Sequence, residues 1–329
     1  MIISRTPLRV SFCGGGSDLP SFYSKHGGCV ISSGLARYMY IAIHPSFSRD
    51  KIILKYSKSE IVGNVDDIEH KIFRQCLKDL DLKGVEITSF ADAPSGTGLG
   101  SSSSFTVSLL HALYAYKGKY VSKERLAREA CKTEIDKIGE PIGKQDQYAA
   151  AFGGLNYYTF NKNGSVTVEP IIMKPESYKK LENNLMMFYT GDVRSASAIL
   201  KEQGETVTSG EKEKAQLEIC RLTNQLKEEF ENNNIDALGD ILHKNWLLKK
   251  KLSDKISNPS IDRWYSVAMN AGATGGKLLG AGGGGFLLFY VPQEKQPAVR
   301  EALAELRESD YRMDMQGTTI IYVDNGETK

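Results

Sequence analysis

The chain has 329 residues, of which 41% are hydrophobic and 25% charged, and its formal net charge is +2. This length allows two ordinary domains with buried cores, and the near balance of charge argues against a nucleic-acid-binding protein. The five cysteines lack metal-binding spacing and are typical of reduced thiols in a cytoplasmic protein. Because no apolar run approaches the ~20 residues of a membrane span and no signal-peptide pattern begins the chain, no membrane attachment is expected.

The first half of the chain predicts short strands that alternate with helices. Runs of β-branched and aromatic residues bounded by Gly or Pro predict strands at residues 8–12, 29–32, 39–43, 51–56, 84–90 and 155–160. Helical spacing predicts helices at residues 66–80, 105–116, 122–135 and 144–151. Asn163-Gly164 is typical of a hairpin turn, and we place a domain boundary close behind it, which gives domains of residues 1–168 and 169–329.

The second half begins with a predicted strand at residues 185–189. Two long charged helices are expected at 210–232 and 234–253, and the three lysines 249–251 are interpreted as a solvated helix end. The glycine cluster 280–285 leads into a strand at 286–290, a helix at 296–307 and a final strand at 317–323. Both halves therefore predict an α+β fold.

The segment from Pro94 to Ser104 is the strongest functional signal in the chain. It reads PSGTGLGSSSS and lies between a predicted strand and a predicted helix. Glycine permits tight turns and close approach to a ligand, and the unpaired N–H groups at a helix start favour anions. A flexible turn is the alternative interpretation, but the tight glycine spacing before a helix favours a phosphate-binding loop. The spacing matches neither the Walker nor the Rossmann pattern.

Three further groups of residues carry weaker signals. Arg9 and Asp18 flank a run of three glycines after the first strand, where Asp18 could simply be a turn former. Glu134 and Asp146 lie around a Gly-Glu-Pro break, either as helix-capping residues or as carboxylates beside a substrate hydroxyl. The glycines of residues 280–285 are compatible with a hinge or with a functional loop.

Taken together and in this order, these segments resemble the three motifs of the GHMP kinases, a family that includes galactokinase, homoserine kinase and mevalonate kinase. The first motif is matched by Pro7-Leu8-Arg9-Val10 through Asp18, the second by residues 94–102 without a gap, and the third by residues 277–285. The resemblance implies a two-domain α+β fold with an S5-like N-terminal domain and a ferredoxin-like C-terminal domain. It also implies an enzyme that phosphorylates a small molecule with ATP and Mg²⁺.

The resemblance also implies roles for individual residues. It places the ATP phosphates on Pro94, Gly96, Thr97, Gly98, Leu99, Gly100, Ser101, Ser102 and Ser103. Ser102 and Glu134 are the expected Mg²⁺ ligands. Asp146 is the expected catalytic carboxylate at the acceptor hydroxyl, and Arg9 is the cation expected to stabilise the transferred phosphoryl group.

The first motif narrows the expected substrate. Galactokinase-like members carry Gly-Glu-His-Thr-Asp, whereas this chain has Gly14-Gly15-Gly16-Ser17-Asp18, which argues against galactose. The pattern is similar to a subgroup that contains heptose 7-phosphate kinases and fucokinase domains. The heptose kinases phosphorylate the anomeric hydroxyl of a sugar phosphate for surface polysaccharide synthesis, and the resemblance is compatible with a homodimer.

Acceptor contacts are expected from two sets of residues. The sugar contacts are expected from Gly15, Gly16, Ser17, Asp18 and Gly283, and a distal sugar phosphate would need cations. Arg194 and Lys277 are the first choices for them, with Lys25 and His26 as weaker ones. Another sugar 1-kinase and a non-catalytic relative remain the alternatives, although the intact Arg9, Ser102, Glu134 and Asp146 argue against the latter.

Overall fold

The computed structural model describes residues 1–191, 199–202, 204, 207–208 and 210–324. Its larger sheet has nine strands and the path β13-β1-β2-β5-β3-β4, with β6 and β12 also paired to β2, and β7 paired to β6. These strands are β1 (Ile2–Cys13), β2 (Gly28–Pro45), β3 (Ile52–Lys55), β4 (Ser59–Val62), β5 (Val85–Ala91), β6 (Leu155–Phe160), β7 (Val166–Pro170), β12 (Met313–Asp314) and β13 (Thr319–Val323). Only the β3–β5 pair is parallel among these described strands.

The smaller sheet has four antiparallel strands in the order β11-β8-β10-β9. They are β8 (Leu185–Tyr189), β9 (Gly275–Leu278), β10 (Phe286–Tyr290) and β11 (Arg307–Ser309). β8 and β10 are almost entirely buried, as expected for strands whose two faces both pack against other elements.

Residues 199–202 are helical, and ten further α-helices surround the two sheets in the described part of the chain. They are α1 (Pro20–His26), α2 (Lys71–Asp79), α3 (Ser101–Tyr116), α4 (Lys123–Cys131), α5 (Gln145–Phe152), α6 (Pro175–Asn184), α7 (Gly210–Glu231), α8 (Ala237–Lys250), α9 (Pro259–Asn270) and α10 (Gln296–Ala302). A π-helical segment, Lys132–Lys137, continues α4. None of the described helices has both the length and the apolar character needed to cross a membrane.

Three hydrophobic clusters hold these layers together. The first lies between the larger sheet and helices α2–α5. The second joins β1 and β2 to α7, α8 and the inner face of the smaller sheet, and the third packs α9 and α10 on that sheet's outer face. Because β1 contributes to the cluster between the two sheets, its side chains reach the junction where the cleft described below is found.

The structure confirms most of the predicted elements and corrects their limits. The two strands predicted at 29–32 and 39–43 are one strand, β2, because β1 pairs along nearly its full length across two irregularities in register. Helix α3 begins at Ser101, so the serines belong to the helix. The hairpin turn is present between β6 and β7, and Gly164 has a positive φ of 84°. The helix predicted to 307 ends at Ala302.

The C-terminal part of the chain returns to the larger sheet. β12 pairs with β2, and β13 pairs with β1, so that Ile2 lies opposite Val323. A division at residues 168 and 169 would also fall inside β7. The two predicted domains therefore remain a prediction about sequence segments, and the larger sheet contains strands from both.

Candidate active site

A cavity of about 480 Å³, here called the cleft, lies between the glycine-rich segments of the two halves of the chain. β1, the loop after it, the start of α3, the start of α5, the end of α8 and the segment before β10 all contribute to its wall. The lining residues used below are Arg9, Gly15, Gly16, Asp18, Gly96, Gly98, Gly100, Ser101, Ser102, Ser103, Glu134, Asp146, Lys249 and Gly280. The three sequence motifs therefore meet in one place.

The loop before α3 presents its backbone to the cleft. Gly98 has a φ of 79° and Gly100 a φ of 74°, the left-handed conformation that glycine adopts without steric cost. Helix α3 starts immediately after Gly100, so the first N–H groups of the helix and its positive dipole end face the cleft. This arrangement suits the phosphates of a nucleotide.

The two glycine segments pack directly against each other. A Cβ atom at Gly98 would lie 2.4 Å from the carbonyl oxygen of Leu279, and one at Gly280 would lie 2.5 Å from the Cα of Gly98. Neither contact leaves room for a side chain, because both neighbouring atoms belong to the backbone. The phosphate-binding loop is therefore braced by the second glycine segment.

Arg9 and Asp146 form a bidentate ion pair in the cleft. Arg9 Nε donates to Asp146 Oδ1 and Arg9 Nη2 donates to Asp146 Oδ2, both at 2.8 Å. Arg9 Nη1 also donates to the carbonyl oxygen of Gly98. The Arg9 side chain is 4% exposed and that of Asp146 is 28% exposed. A carboxylate that can accept a hydrogen bond from a ligand hydroxyl thus lies beside a cation and next to the phosphate-binding loop.

Asp18 lies on the same side of the cleft as Asp146. Its carboxylate accepts hydrogen bonds from the backbone N–H groups of Gly16 and Gln145. Burial, and then the negative charge of Asp146, raise the pKa of Asp18. A Cβ at Gly143 would overlap the Asp18 carboxylate, so only glycine fits at that position. Both carboxylates line the cleft, where they can accept hydrogen bonds from hydroxyl groups of a ligand.

Glu134 lies at the base of the cleft on the π-helical segment. Its carboxylate accepts hydrogen bonds from the hydroxyls of Ser102, Ser103 and Thr106 and from the side-chain amide of Gln147. Burial raises the pKa of Glu134 to about 7. Segments of π-helix within α-helices are frequent at functional sites, because they displace a side chain from the regular helical register.

Ser102 and Glu134 suit a magnesium ion. Mg²⁺ prefers oxygen ligands and commonly uses one or two protein carboxylates or hydroxyls together with water and substrate phosphates. Within the described ranges no cluster of three or more His, Cys, Asp and Glu side chains could hold a metal. With Ser102 and Glu134 as protein ligands, nucleotide phosphates and water would supply the others, as is usual for Mg²⁺.

Replacing Glu134 by Gln should raise the Mg²⁺ concentration that gives the half-maximal rate by about tenfold or more, since an uncharged amide is a poor Mg²⁺ ligand. A modest fall in melting temperature is also expected, because the amide NH₂ cannot accept the two hydrogen bonds that the carboxylate oxygen it replaces receives, so rates are compared well below the melting temperature of the variant. The measurement is the phosphorylation rate as a function of free Mg²⁺. Glu129→Gln is the matched control, as Glu129 pairs with Arg125 on the surface of α4. An unchanged Mg²⁺ dependence would contradict the assignment.

Several residues expected at the ligands lie elsewhere. Ser17 is fully buried, and its hydroxyl bonds the backbone of Gly14 and Cys29. Gly283 is buried and donates its N–H to Ile256. Thr97 and Leu99 are also buried, and Pro94 lines a separate cavity behind the loop. These residues shape the loops that line the cleft, and their contact with a ligand, for the glycine loop through the backbone, stays a prediction.

The cations expected at a distal phosphate also require correction. Lys277 is 1% exposed, and its Nζ donates to the carbonyl oxygen of Phe12 in the interior, away from the surface of the cleft. Lys25 and His26 both pair with Glu213. Arg194 lies outside the described residues.

Lys249 is the residue that sequence analysis missed. It was interpreted as part of a solvated helix end, but it is 6% exposed and lines the cleft. The helical spacing carries a signal for this position, because Leu242, Asn245, Trp246 and Lys249 fall on one face of α8 and all four are buried. Lys250 and Lys251 lie off this face, and both are more exposed.

Comparisons of the sequence with known proteins agree with the geometry of the cleft. The profile of the GHMP kinases N terminal domain matches residues 67–154, and that of the GHMP kinases C terminal domain matches residues 226–309. The D-glycero-alpha-D-manno-heptose 7-phosphate kinase of Campylobacter jejuni is 30% identical over 96% of both chains. The bifunctional fucokinase/GDP-fucose pyrophosphorylase of Arabidopsis thaliana is 29% identical over 93% of this chain and 31% of that protein.

Solved structures give the same result. A crystal structure described as a D-glycero-D-manno-heptose 1-phosphate kinase from Bacteroides thetaiotaomicron superposes with a TM-score of 0.81 at 25% identity. The superposition covers 99% of this chain and all of that one. The names of the two heptose kinases place the substrate's phosphate on different carbons.

Proposed function

Because the chain belongs to the GHMP kinases, we propose that it is a sugar kinase that transfers the γ-phosphoryl group of ATP to the anomeric hydroxyl of D-glycero-D-manno-heptose 7-phosphate. The product would be the 1,7-bisphosphate, for nucleotide-activated heptose and surface polysaccharide. The observation that carries the kinase activity is the Arg9–Asp146 pair beside a glycine loop and a helix N-terminus. The full-length similarity to the Campylobacter jejuni enzyme supports the choice of sugar.

The residues of the cleft have complementary tasks in this reaction. The glycine loop and the first turn of α3 hold the nucleotide phosphates through backbone N–H groups. Asp146 accepts a hydrogen bond from the acceptor hydroxyl and directs its oxygen toward the γ-phosphorus. Arg9 holds Asp146 in place and supplies positive charge as negative charge accumulates on the phosphoryl oxygens. When bound by Ser102 and Glu134, Mg²⁺ would neutralise charge on the nucleotide phosphates.

A fucose 1-kinase is the second candidate. The similarity to the Arabidopsis fucokinase covers nearly the whole of this chain, although only 31% of that protein. Moreover, Lys277 does not reach the cleft, and it was one of the cations expected to bind a distal phosphate. A sugar without a phosphate would not need such a cation.

A panel of acceptors with ATP, scored by ADP release, tests these alternatives. We expect the highest kcat/KM with D-glycero-D-manno-heptose 7-phosphate, lower values with unphosphorylated heptose and fucose, and little with galactose. Heptose 1-phosphate should not react, because its anomeric oxygen is already phosphorylated. A preference for fucose or for unphosphorylated heptose would replace the proposed substrate. No turnover with any sugar would contradict the proposed function.

A further inference from the structure

Lys249 brings a buried ammonium group to the wall of the cleft. It lies at the end of α8, and its Nζ donates to the carbonyl oxygen of Gly280. A lysine ammonium carries three N–H donors, so this contact engages only one of them. Among the ion pairs of the described residues, none includes Lys249.

The charged groups around Lys249 come from four different elements. Arg9 of β1 and Lys277 of β9 contribute positive charge, whereas Asp18 after β1 and Asp146 of α5 contribute negative charge. Both carboxylates already have other partners, since Asp146 binds Arg9 and Asp18 accepts two backbone N–H groups. A buried charge without a dedicated counter-ion is costly, and an anionic ligand in the cleft would remove much of this cost.

The contact with Gly280 fixes where such an anion would lie. Gly280 packs against Gly98 of the phosphate-binding loop, and Gly98 in turn accepts a hydrogen bond from Arg9. Lys249 is therefore located where the two glycine segments meet, among the same acidic groups that face the acceptor hydroxyl. With the nucleotide phosphates on the glycine loop and the acceptor hydroxyl at Asp146, as in the proposed function, that position falls between the two.

We propose that Lys249 binds the transferred phosphoryl group, as a second cation that acts together with Arg9. This assignment rests on the proposed kinase function. In the transition state, the transferred phosphoryl group carries its charge on three equatorial oxygens. The Arg9 guanidinium, which is also bonded to Asp146 and Gly98, cannot contact all three oxygens. A compact ammonium on the other glycine segment supplies the additional donors.

The same placement argues against a role for Lys249 at a distal sugar phosphate. Asp146 orients the hydroxyl that attacks, so groups near Asp146 lie near the reacting oxygen. The 7-phosphate of a heptose is at the opposite end of the sugar from its C1 hydroxyl. Lys249 lines the same cleft as Asp18 and Asp146, whose charges act on its ammonium, so we place it on the reacting side.

Lys249→Met is the decisive variant, because methionine keeps the length of the side chain and removes the charge. Its kcat should fall by about 10²-fold or more, as is typical when one preorganised donor to the transition state is lost. The loss should be equal for phosphorylated and unphosphorylated sugars. Lys250→Met is the matched control: Lys250 is the neighbouring residue and pairs with Asp262, so its substitution should leave kcat unchanged.

A binding experiment tests the proposal without any sugar. Calorimetric titration with Mg²⁺ and either ADP or adenylyl imidodiphosphate measures how much the γ-phosphoryl group adds to affinity. The Lys249→Met protein should bind ADP as the unmodified protein does and should lose most of its preference for the triphosphate analogue. Because no sugar is involved, this result is informative even if the acceptor panel shows that the sugar kinase proposal is wrong.

A pH profile separates a charge requirement from a packing role. Burial, together with the charges of Lys277 and Arg9, lowers the pKa of Lys249 well below its ordinary value, while Asp18 and Asp146 oppose this shift. The ammonium is charged below its pKa, so kcat/KM, which reports groups of the free enzyme, should decline as the pH rises through that pKa. Lys249→Arg should keep substantial activity and lose this alkaline decline, because a guanidinium stays charged.

Four results would overturn the proposal. The first is a Lys249→Met enzyme with the kcat of the Lys250→Met control. The second is a loss confined to the phosphorylated sugar, which would place Lys249 at a distal phosphate. The third is an equal loss of affinity for ADP and the triphosphate analogue in the Lys249→Met protein. The fourth is a Lys249→Arg enzyme as impaired and as unstable to heat as Lys249→Met. Both of these would indicate a structural role.

Discussion

Replacement of Asp146 by Asn should reduce kcat by about 10²–10⁴-fold, the range typical for loss of a group that accepts or directs the reacting proton. Asparagine has nearly the same volume, but its uncharged amide is a poor partner for Arg9. The bidentate contact at 2.8 Å would be reduced to one oxygen and one unsuitable NH₂ group. The affinity for Mg²⁺ and ATP should change far less than kcat.

The melting temperature of the Asp146→Asn enzyme and the kcat of a control variant distinguish this result from a loss of folded protein. Some thermal destabilisation is expected, because the nearly buried Arg9 loses its anionic partner. The contact of Arg9 with Gly98 limits this effect. Asp240→Asn is the control, since Asp240 forms an exposed pair with Lys244. Turnover close to that of the unmodified enzyme would remove Asp146 from the reaction, and a loss of kcat that merely followed the unfolded fraction would assign it a structural role.

Replacement of Gly98 by Ala should weaken ATP binding by about 10²-fold, the loss expected if about two backbone hydrogen bonds to the charged phosphates, each worth ~1.5 kcal/mol, are no longer made. The added Cβ would lie 2.4 Å from the Leu279 carbonyl oxygen, so either the phosphate-binding loop or the second glycine segment must move. Sugar affinity should change little, because the Asp18 side of the cleft is not displaced. Separate titrations with nucleotide and sugar give the comparison.

Gly118→Ala provides an unusually close control for this prediction. Gly118 also has a positive φ, 66°, but a Cβ there would meet no atom within 4 Å. The two variants therefore share the conformational strain of alanine in the left-handed region and differ in the collision. If both lose ATP affinity equally, strain alone would be the cause. If Gly98→Ala lost only sugar affinity, the loop would not be the nucleotide site.

The parts of the site that could be predicted from the sequence are the loops formed by consecutive residues. The loop from Pro94 to Ser102 and the run from Gly14 to Asp18 carry their geometry locally, because glycine positions and a following helix define it. Their meeting in one cleft followed from the resemblance to a known family. In the structure, the nearly continuous β1–β2 pairing places Arg9 beside that loop.

The orientation of isolated charged side chains could not be predicted in the same way. Lys277 was expected at the edge of the cleft, but the pairing of β9 with β10 turns it toward β1, some 265 residues away in sequence. Such a choice of face depends on tertiary packing and not on the local pattern. The burial of Lys249 could have been predicted, because its spacing from Leu242 and Trp246 places it on the buried face of α8.

The pairing of β13 with β1 has a consequence for biosynthesis. The first strand of the sheet finds its outer neighbour only in residues 319–323, so β1 has an unsatisfied edge until those residues have been synthesised. At ~10 residues per second, this interval is roughly half a minute. Exposed strand edges invite intermolecular pairing, and closing a contact across more than 300 residues is entropically slow. Nascent chains that lack these last residues should therefore depend on ribosome-associated chaperones far more than the released protein does.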